Sequence, residues 1–124
     1  MENKSYRVLV VDDHQVMRKG VRALLESDST WEVCGEAENG RLAVEKTREL
    51  SPDLVILDLT MPEMNGLEAA RQIRLVSPQT KIVIFSMHES PQVRKEARDA
   101  GADAFVSKSS MAEMLTATAK DLLK

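Results

Sequence analysis

The chain has 124 residues, with 17 basic and 20 acidic side chains and a formal net charge of −3. A chain of this length supports one domain that buries roughly two-thirds of its unfolded surface, so its core needs no staples. The charge balance argues against nucleic-acid binding by this segment, a single cysteine forbids an internal disulfide, and no apolar run is long enough to span a bilayer.

Short apolar runs alternate with helical patterns along the whole chain. After Met1-Glu2-Asn3-Lys4, which has no apolar signal segment, Arg7-Val8-Leu9-Val10-Val11 reads as a buried strand. Met17, Val21, Leu24 and Leu25 then fall at helical spacing between Val16 and Ser27. Trp31 to Ala37 is a more polar strand that suits a sheet edge, and it holds Cys34, expected as a buried structural thiol. Asn39-Gly40 turns the chain into a helix that Ser51-Pro52 ends near Leu50. Leu54-Val55-Ile56-Leu57 is a third strand. Pro62 and Gly66 bracket a loop, and a helix carrying Leu67, Ala70, Ile73 and Val76 runs to Ser77-Pro78.

Lys81-Ile82-Val83-Ile84-Phe85 is the fourth strand. Pro91 suits the first turn of a helix that points Val93, Ala97 and Ala100 inward and is capped by Gly101. Ala104-Phe105-Val106 is a short fifth strand, and a last helix is expected to bury Met111, Met114, Leu115, Thr118 and Leu122. The methionines are expected as core filler. Lys46, Arg48, Arg94, Lys95 and Arg98 are expected on solvated helix faces, and His14 as a residue at a helix start. Five consecutive strand–helix units imply an α/β fold, a parallel sheet covered on both faces by helices with right-handed crossovers.

Ligands of such sheets bind beyond the carboxyl ends of the strands. Asp12 and Asp13 follow the first strand, Asp58 the third, Ser86 the fourth, and Lys108 the fifth past Ser107. Three converging carboxylates cannot all stay ionised without a cation. Hard oxygen donors without partner cysteines point to Mg²⁺, which keeps waters free for a phosphate. A lysine and a hydroxyl facing that cation suit phosphoryl oxygens, and Asp58 is the candidate nucleophile of an aspartyl phosphate. Taken singly, Asp12 and Asp13 could merely cap a helix; in register with Asp58, Ser86 and Lys108 they form a combination that capping does not explain.

These residues resemble the receiver domains of two-component response regulators. The resemblance runs through Val10-Val11-Asp12-Asp13-His14, Leu57-Asp58-Leu59-Thr60-Met61-Pro62 with Gly66, Phe85-Ser86-Met87-His88, and Gly101 to Lys108. It implies a flavodoxin-like doubly wound (βα)5 fold with strand order 2-1-3-4-5. It implies that Asp58 is phosphorylated by a sensor histidine kinase. Asp13 and Asp58 would hold Mg²⁺ through side chains, Thr60 through its backbone carbonyl, and Asp12 through water. Lys108 and Ser86 would hold the phosphoryl group, and Phe105 would move inward with Ser86. The readout face would run from Ser90 to Lys124, and a phosphorylation-dependent homodimer is a candidate assembly.

Many receivers place proline after the lysine, whereas Ser109 follows Lys108 here. With Asp13-His14, Gly35-Glu36-Ala37 and Met87-His88, this looks like the NarL/FixJ branch, which usually carries a helix-turn-helix DNA-binding domain after the receiver. No such domain lies within residues 1–124, so the expectation is a single receiver domain, cytoplasmic and without a membrane role. A DNA-binding output domain is expected to follow in the full-length protein; the alternative is a stand-alone receiver acting through protein–protein contacts. The module is expected to assist its own phosphorylation and dephosphorylation without being a turnover enzyme. A hydrolase of the haloacid dehalogenase type would need a second carboxylate two residues after the nucleophile, where Thr60 stands. A module with a vestigial site is disfavoured because all five key positions are filled.

Overall fold

Parallel pairing of five short apolar segments organises the molecule, shown in a computed structural model that describes residues 5–61, 63–110 and 114–123. The strands are β1 (Tyr6–Val11), β2 (Trp31–Ala37), β3 (Leu54–Leu57), β4 (Lys81–Ser86) and β5 (Ala104–Ser107). They line up in the order β2-β1-β3-β4-β5. The helices are α1 (Gln15–Glu26), α2 (Gly40–Leu50), α3 (Gly66–Val76), α4 (Pro91–Asp99) and α5 (Thr116–Leu123).

Alternation along the strands divides the core in two. Val8, Val10, Leu54, Ile56, Val83 and Phe85 meet Val21 and Leu25 of α1, and Leu115 and Ala119 at the last helix. Leu9, Val11, Val55, Leu57, Ile82 and Ile84 meet α2, α3 and α4 through Ala43, Ala70, Ile73 and Ala97. Because both faces are covered, the central strands are apolar throughout rather than alternating. Truncating a fully buried member such as Ile84 would cost about 2–5 kcal/mol.

The helix starts follow local chemistry. Asn39, Asn65 and Ser90 accept from the backbone N–H of Leu42, Glu68 and Val93, and Pro91 occupies the first turn of α4. Each such cap contributes about 1 kcal/mol. Gly101, one residue past the α4 cap at Ala100, takes φ +109°, the left-handed conformation that favours glycine. Gly66 answers a different demand. A Cβ there would lie 2.2 Å from the Asp58 carbonyl oxygen, so only glycine lets α3 begin against the end of β3.

Four expectations need correction. Met114 is 49% exposed and Met87 64% exposed, so neither is core filler. Leu115 and Ala119, four residues apart, carry the inward face, and Met114, one residue before Leu115, falls off it. Cys34 is only half-buried. The β1–β2 register jumps between Val8↔Val33 and Leu9↔Gly35, which leaves Cys34 as the extra residue of a bulge. Burial raises its thiol pKa. Thr118 and Leu122 are half-buried, whereas Leu115 and Ala119 are the buried residues of that segment; Met111 and Pro62 lie outside the described residues. Lys46, expected on a solvated face, is half-buried and its Nζ donates to the Glu36 carbonyl, whereas Arg94 is exposed as expected, its guanidinium 4.6 Å from the centre of the Phe105 ring.

Candidate functional site: an acidic pocket at the carboxyl edge of the sheet

Each chemical residue reaches the same edge because its strand ends there. The N–H of Asp12 donates to the Ala37 carbonyl, and that of Asp58 to the Val11 carbonyl, so both aspartates extend the sheet ladder by one residue. Asp12 and Asp58 are almost wholly buried, at 2% and 5% exposure. Asp13 lies further out, its side chain 29% exposed.

Lys108 follows β5 in a short 3₁₀ turn spanning Lys108–Ser110. Its ammonium lies 2.7 Å from Asp12 Oδ2 and 3.3 Å from Asp58 Oδ1. One buried cation therefore serves two carboxylates and favours Asp12. Asp58 is left undercompensated: burial, then the neighbouring Asp12 charge, raises its pKa, Lys108 opposes that rise, and Asp13 adds to it.

Carboxylate oxygens of Asp12, Asp13 and Asp58 and a ring nitrogen of His14 lie within 4.8 Å of one another. Three carboxylates against one ammonium leave a negative excess that a divalent ion would relieve, and their oxygens are hard donors suited to Mg²⁺. His14 has more than the helix-start role expected of it. It is the N-cap residue of α1, and its Nδ1 also lies 3.1 Å from Asp13 Oδ1 and 3.3 Å from Asp12 Oδ1. The pair Asp13-His14 carried that signal, but two histidines in the whole chain are too few to suggest a ligand set.

Ser86 closes β4 opposite Ser107 and is 1% exposed. Its hydroxyl accepts from the His88 N–H at 3.0 Å, an interaction within its own loop. Thr60 is exposed and lines a cleft of about 350 Å³ with Met61, Asn65, His88 and Val93. Phe105, on β5, is half-buried with the Arg94 guanidinium of α4 over its ring. The structure thus gathers Asp12, Asp13, Asp58 and Lys108 in contact, with Ser86 at the same edge and Thr60 and Phe105 flanking it.

A doubly wound sheet of this order with such a pocket at its carboxyl edge is the receiver class of α/β protein. The chain belongs to the response regulator receiver domain family, whose profile matches residues 8–120. It is 40% identical over 109 residues to the transcriptional regulatory protein YdfI of Bacillus subtilis, covering 88% of this chain and 51% of that protein. It is 45% identical over 102 residues to the chemotaxis protein CheY of Thermotoga maritima, covering 82% of this chain and 84% of that one. The receiver domain of the response regulator NarL from Mycobacterium tuberculosis superposes with a TM-score of 0.90 at 32% identity, covering 97% of this chain and 98% of that one. The chain is therefore the receiver domain of a two-component response regulator, of the NarL/FixJ-like branch, and spans about half the length of YdfI.

Proposed function

We propose that Asp58 accepts a phosphoryl group from the phosphohistidine of a sensor kinase, and that the resulting charge switches a surface of this domain. The observation that carries the reading is the buried, undercompensated Asp58 carboxylate 3.3 Å from the Lys108 ammonium. An Asp58 carboxylate oxygen attacks phosphorus, the phosphorus–nitrogen bond breaks, and the electron pair leaves on the imidazole. Lys108 stays beside Asp58 and neutralises phosphoryl oxygens as charge moves onto this protein. Mg²⁺, when bound, neutralises the remaining oxygens. Asp13 and Asp58 would hold it by side chain, Thr60 by its carbonyl and Asp12 through water. Through this site the domain assists its own phosphorylation and dephosphorylation.

Ser86 would exchange its bond from the His88 N–H for one to the phosphoryl group, and Phe105 would leave Arg94 and turn inward. The altered surface is α4, β5 and α5, where a phosphorylation-dependent homodimer would form. The regulator relatives favour transcriptional output through a DNA-binding domain outside residues 1–124, in the cytoplasm. The likeness to a CheY, of which this chain covers 84%, favours a second reading in which the receiver acts alone through protein contacts. No helix among the described residues is long and apolar enough to cross a membrane.

An acyl-phosphate donor with Mg²⁺ tests the chemistry, with intact mass as the readout. One phosphoryl adduct that Asp58→Asn abolishes is expected. No adduct, or one that survives Asp58→Asn, overturns the proposal.

A further inference from the structure

Arg18 lies outside the pocket yet is tied to its backbone. Its Nη1 donates to the Asp12 carbonyl at 2.6 Å, and its Nε donates to Glu36 Oε1 at 3.0 Å. The guanidinium is planar and rigid, so these two bonds fix its orientation, and its side chain is only 16% exposed. Glu36 is itself held from a second side, since Arg22 Nη1 donates to Oε2 at 2.6 Å. Lys46 Nζ takes the Glu36 carbonyl. Side chains of α1 and α2 therefore converge on one residue of β2, and Arg18 transmits that anchoring to Asp12.

Asp12 matters to everything else at the site. Its N–H is held by Ala37, its carboxylate receives Lys108 at 2.7 Å and the His14 N–H at 2.9 Å, and Asp13 follows it. With the N–H on the sheet and the C=O on Arg18, the peptide planes on both sides of Asp12 are fixed. Without Arg18, the carbonyl side would lose its direct restraint and keep only the His14 N–H bond to the Asp12 carboxylate, which leaves Asp13 less firmly placed.

We infer that Arg18 is a positioning residue for cation binding: through the Asp12 carbonyl, with Glu36 orienting its guanidinium, it sets the placement of the Asp12–Asp13 pair. The inference rests on the reading of this pocket as a Mg²⁺-supported phosphoacceptor site.

The sign of the effect separates positioning from charge. If Arg18 were only a nearby positive charge, its removal would lessen repulsion of an incoming cation and tighten Mg²⁺ binding. If it positions the aspartates, removal weakens binding despite the favourable charge change. Groups that hold ligands in place typically account for 10–100-fold in metal affinity. Since Arg18 acts through backbone, we expect the low end, about 10-fold.

The test is Mg²⁺ titration by calorimetry on the intact domain, followed by acyl-phosphate phosphorylation across a range of Mg²⁺ concentrations. Arg18→Met keeps the aliphatic stem and removes both donors. The expected result is an Mg²⁺ Kd raised about 10-fold, with the phosphorylation rate recovering as Mg²⁺ is raised. Arg22→Met removes an equal charge and another Glu36 partner but leaves the Arg18 bond to the Asp12 carbonyl, and should change the Kd far less than Arg18→Met does. Unchanged or tighter binding in Arg18→Met overturns the inference, as does equal weakening by Arg22→Met. If Arg18→Met does not fold, Arg18→Lys decides: it keeps the charge but cannot span both partners as the fork does, so a raised Kd supports positioning and a wild-type Kd refutes it. Failure of the wild-type domain to bind Mg²⁺ or accept a phosphoryl group would instead overturn the reading of the pocket.

Discussion

Replacing Asp58 by asparagine should stabilise the metal-free domain even though it destroys the proposed acceptor. The charges around Asp58 set the magnitude. Asp12 and Asp13 present oxygens within 4.8 Å of it, so each pair repels by about 3 kcal/mol at an effective dielectric near 20. Lys108 at 3.3 Å attracts by about 5 kcal/mol on the same scale. The repulsions together exceed the attraction by about 1–2 kcal/mol, and burial of the carboxylate adds to the penalty. Burial first, and then the Asp12 charge, raise the Asp58 pKa, which is the same effect seen in its titration.

Thermal denaturation followed by circular dichroism in EDTA at neutral pH should show Asp58→Asn melting about 5 °C above wild type. The gain depends on pH in a defined direction. Well below the ordinary aspartate pKa, at about pH 2.5, Asp58 is protonated in both folded and unfolded chains and the two proteins should melt together. As pH rises, the unfolded chain ionises first, so wild type loses stability until the pH passes the raised folded pKa. Mg²⁺ should reverse the ranking, since ligand at 100 times its Kd adds about 2.7 kcal/mol to wild type and far less to the variant. An Asp58→Asn variant that melts at or below wild type in EDTA would refute the charge accounting, as would a gain that persists in acid.

Gly66→Ala should cost about 1–3 kcal/mol in denaturant unfolding and also slow phosphorylation, because its Cβ would fall 2.2 Å from the Asp58 carbonyl and push the acceptor away; wild-type rates would show that the loop yields freely. Glu36→Gln should flatten the acid limb of the stability profile. Arg22 and then Arg18 hold the Glu36 carboxyl below its usual range, so its contribution is present above that range and lost as pH falls through the folded pKa; an unaltered limb would count against it. Met87→Ala should shorten the lifetime of the phosphorylated domain if the exposed thioether next to Ser86 restricts water, and an unchanged decay rate measured by mass spectrometry would sink that role.

The strands and the pocket were legible for one reason. In a parallel sheet the strands are short, apolar and bounded by polar residues, so the residue after each run sits at the ligand edge. Asp12, Asp58, Ser86 and Lys108 could be placed by position alone. Arg18 could not, because a guanidinium reaching a backbone carbonyl leaves no periodic trace, and on a helical wheel it is merely another charge of α1. Arg94 reads as solvated and is exposed, but the approach of its guanidinium to the Phe105 ring likewise leaves no trace in the spacing. Cys34 was misplaced because a bulge breaks the two-residue alternation on which strand facing is judged. Met114 was misplaced because it adjoins Leu115 in an apolar pair, and the pattern alone does not say which of the two faces the core.

Lys108 explains why one pocket can be both a strained part of the fold and a site for chemistry. It stands 2.7 Å from Asp12 and 3.3 Å from Asp58, so the buried ammonium is shared between two carboxylates and neutralises neither fully. That leaves the buried Asp58 carboxylate undercompensated and hence with an electrostatic demand for a cation. Moving Lys108 wholly to Asp58 would quiet the acceptor but strand Asp12 unpaired at 2% exposure, a costlier arrangement. The lysine therefore serves two carboxylates from one position, and a phosphoryl group on Asp58 would shift the balance by adding acceptor oxygens on that side alone. The imbalance that raises the Asp58 pKa at rest would then be the one that gives phosphorylation its structural consequence.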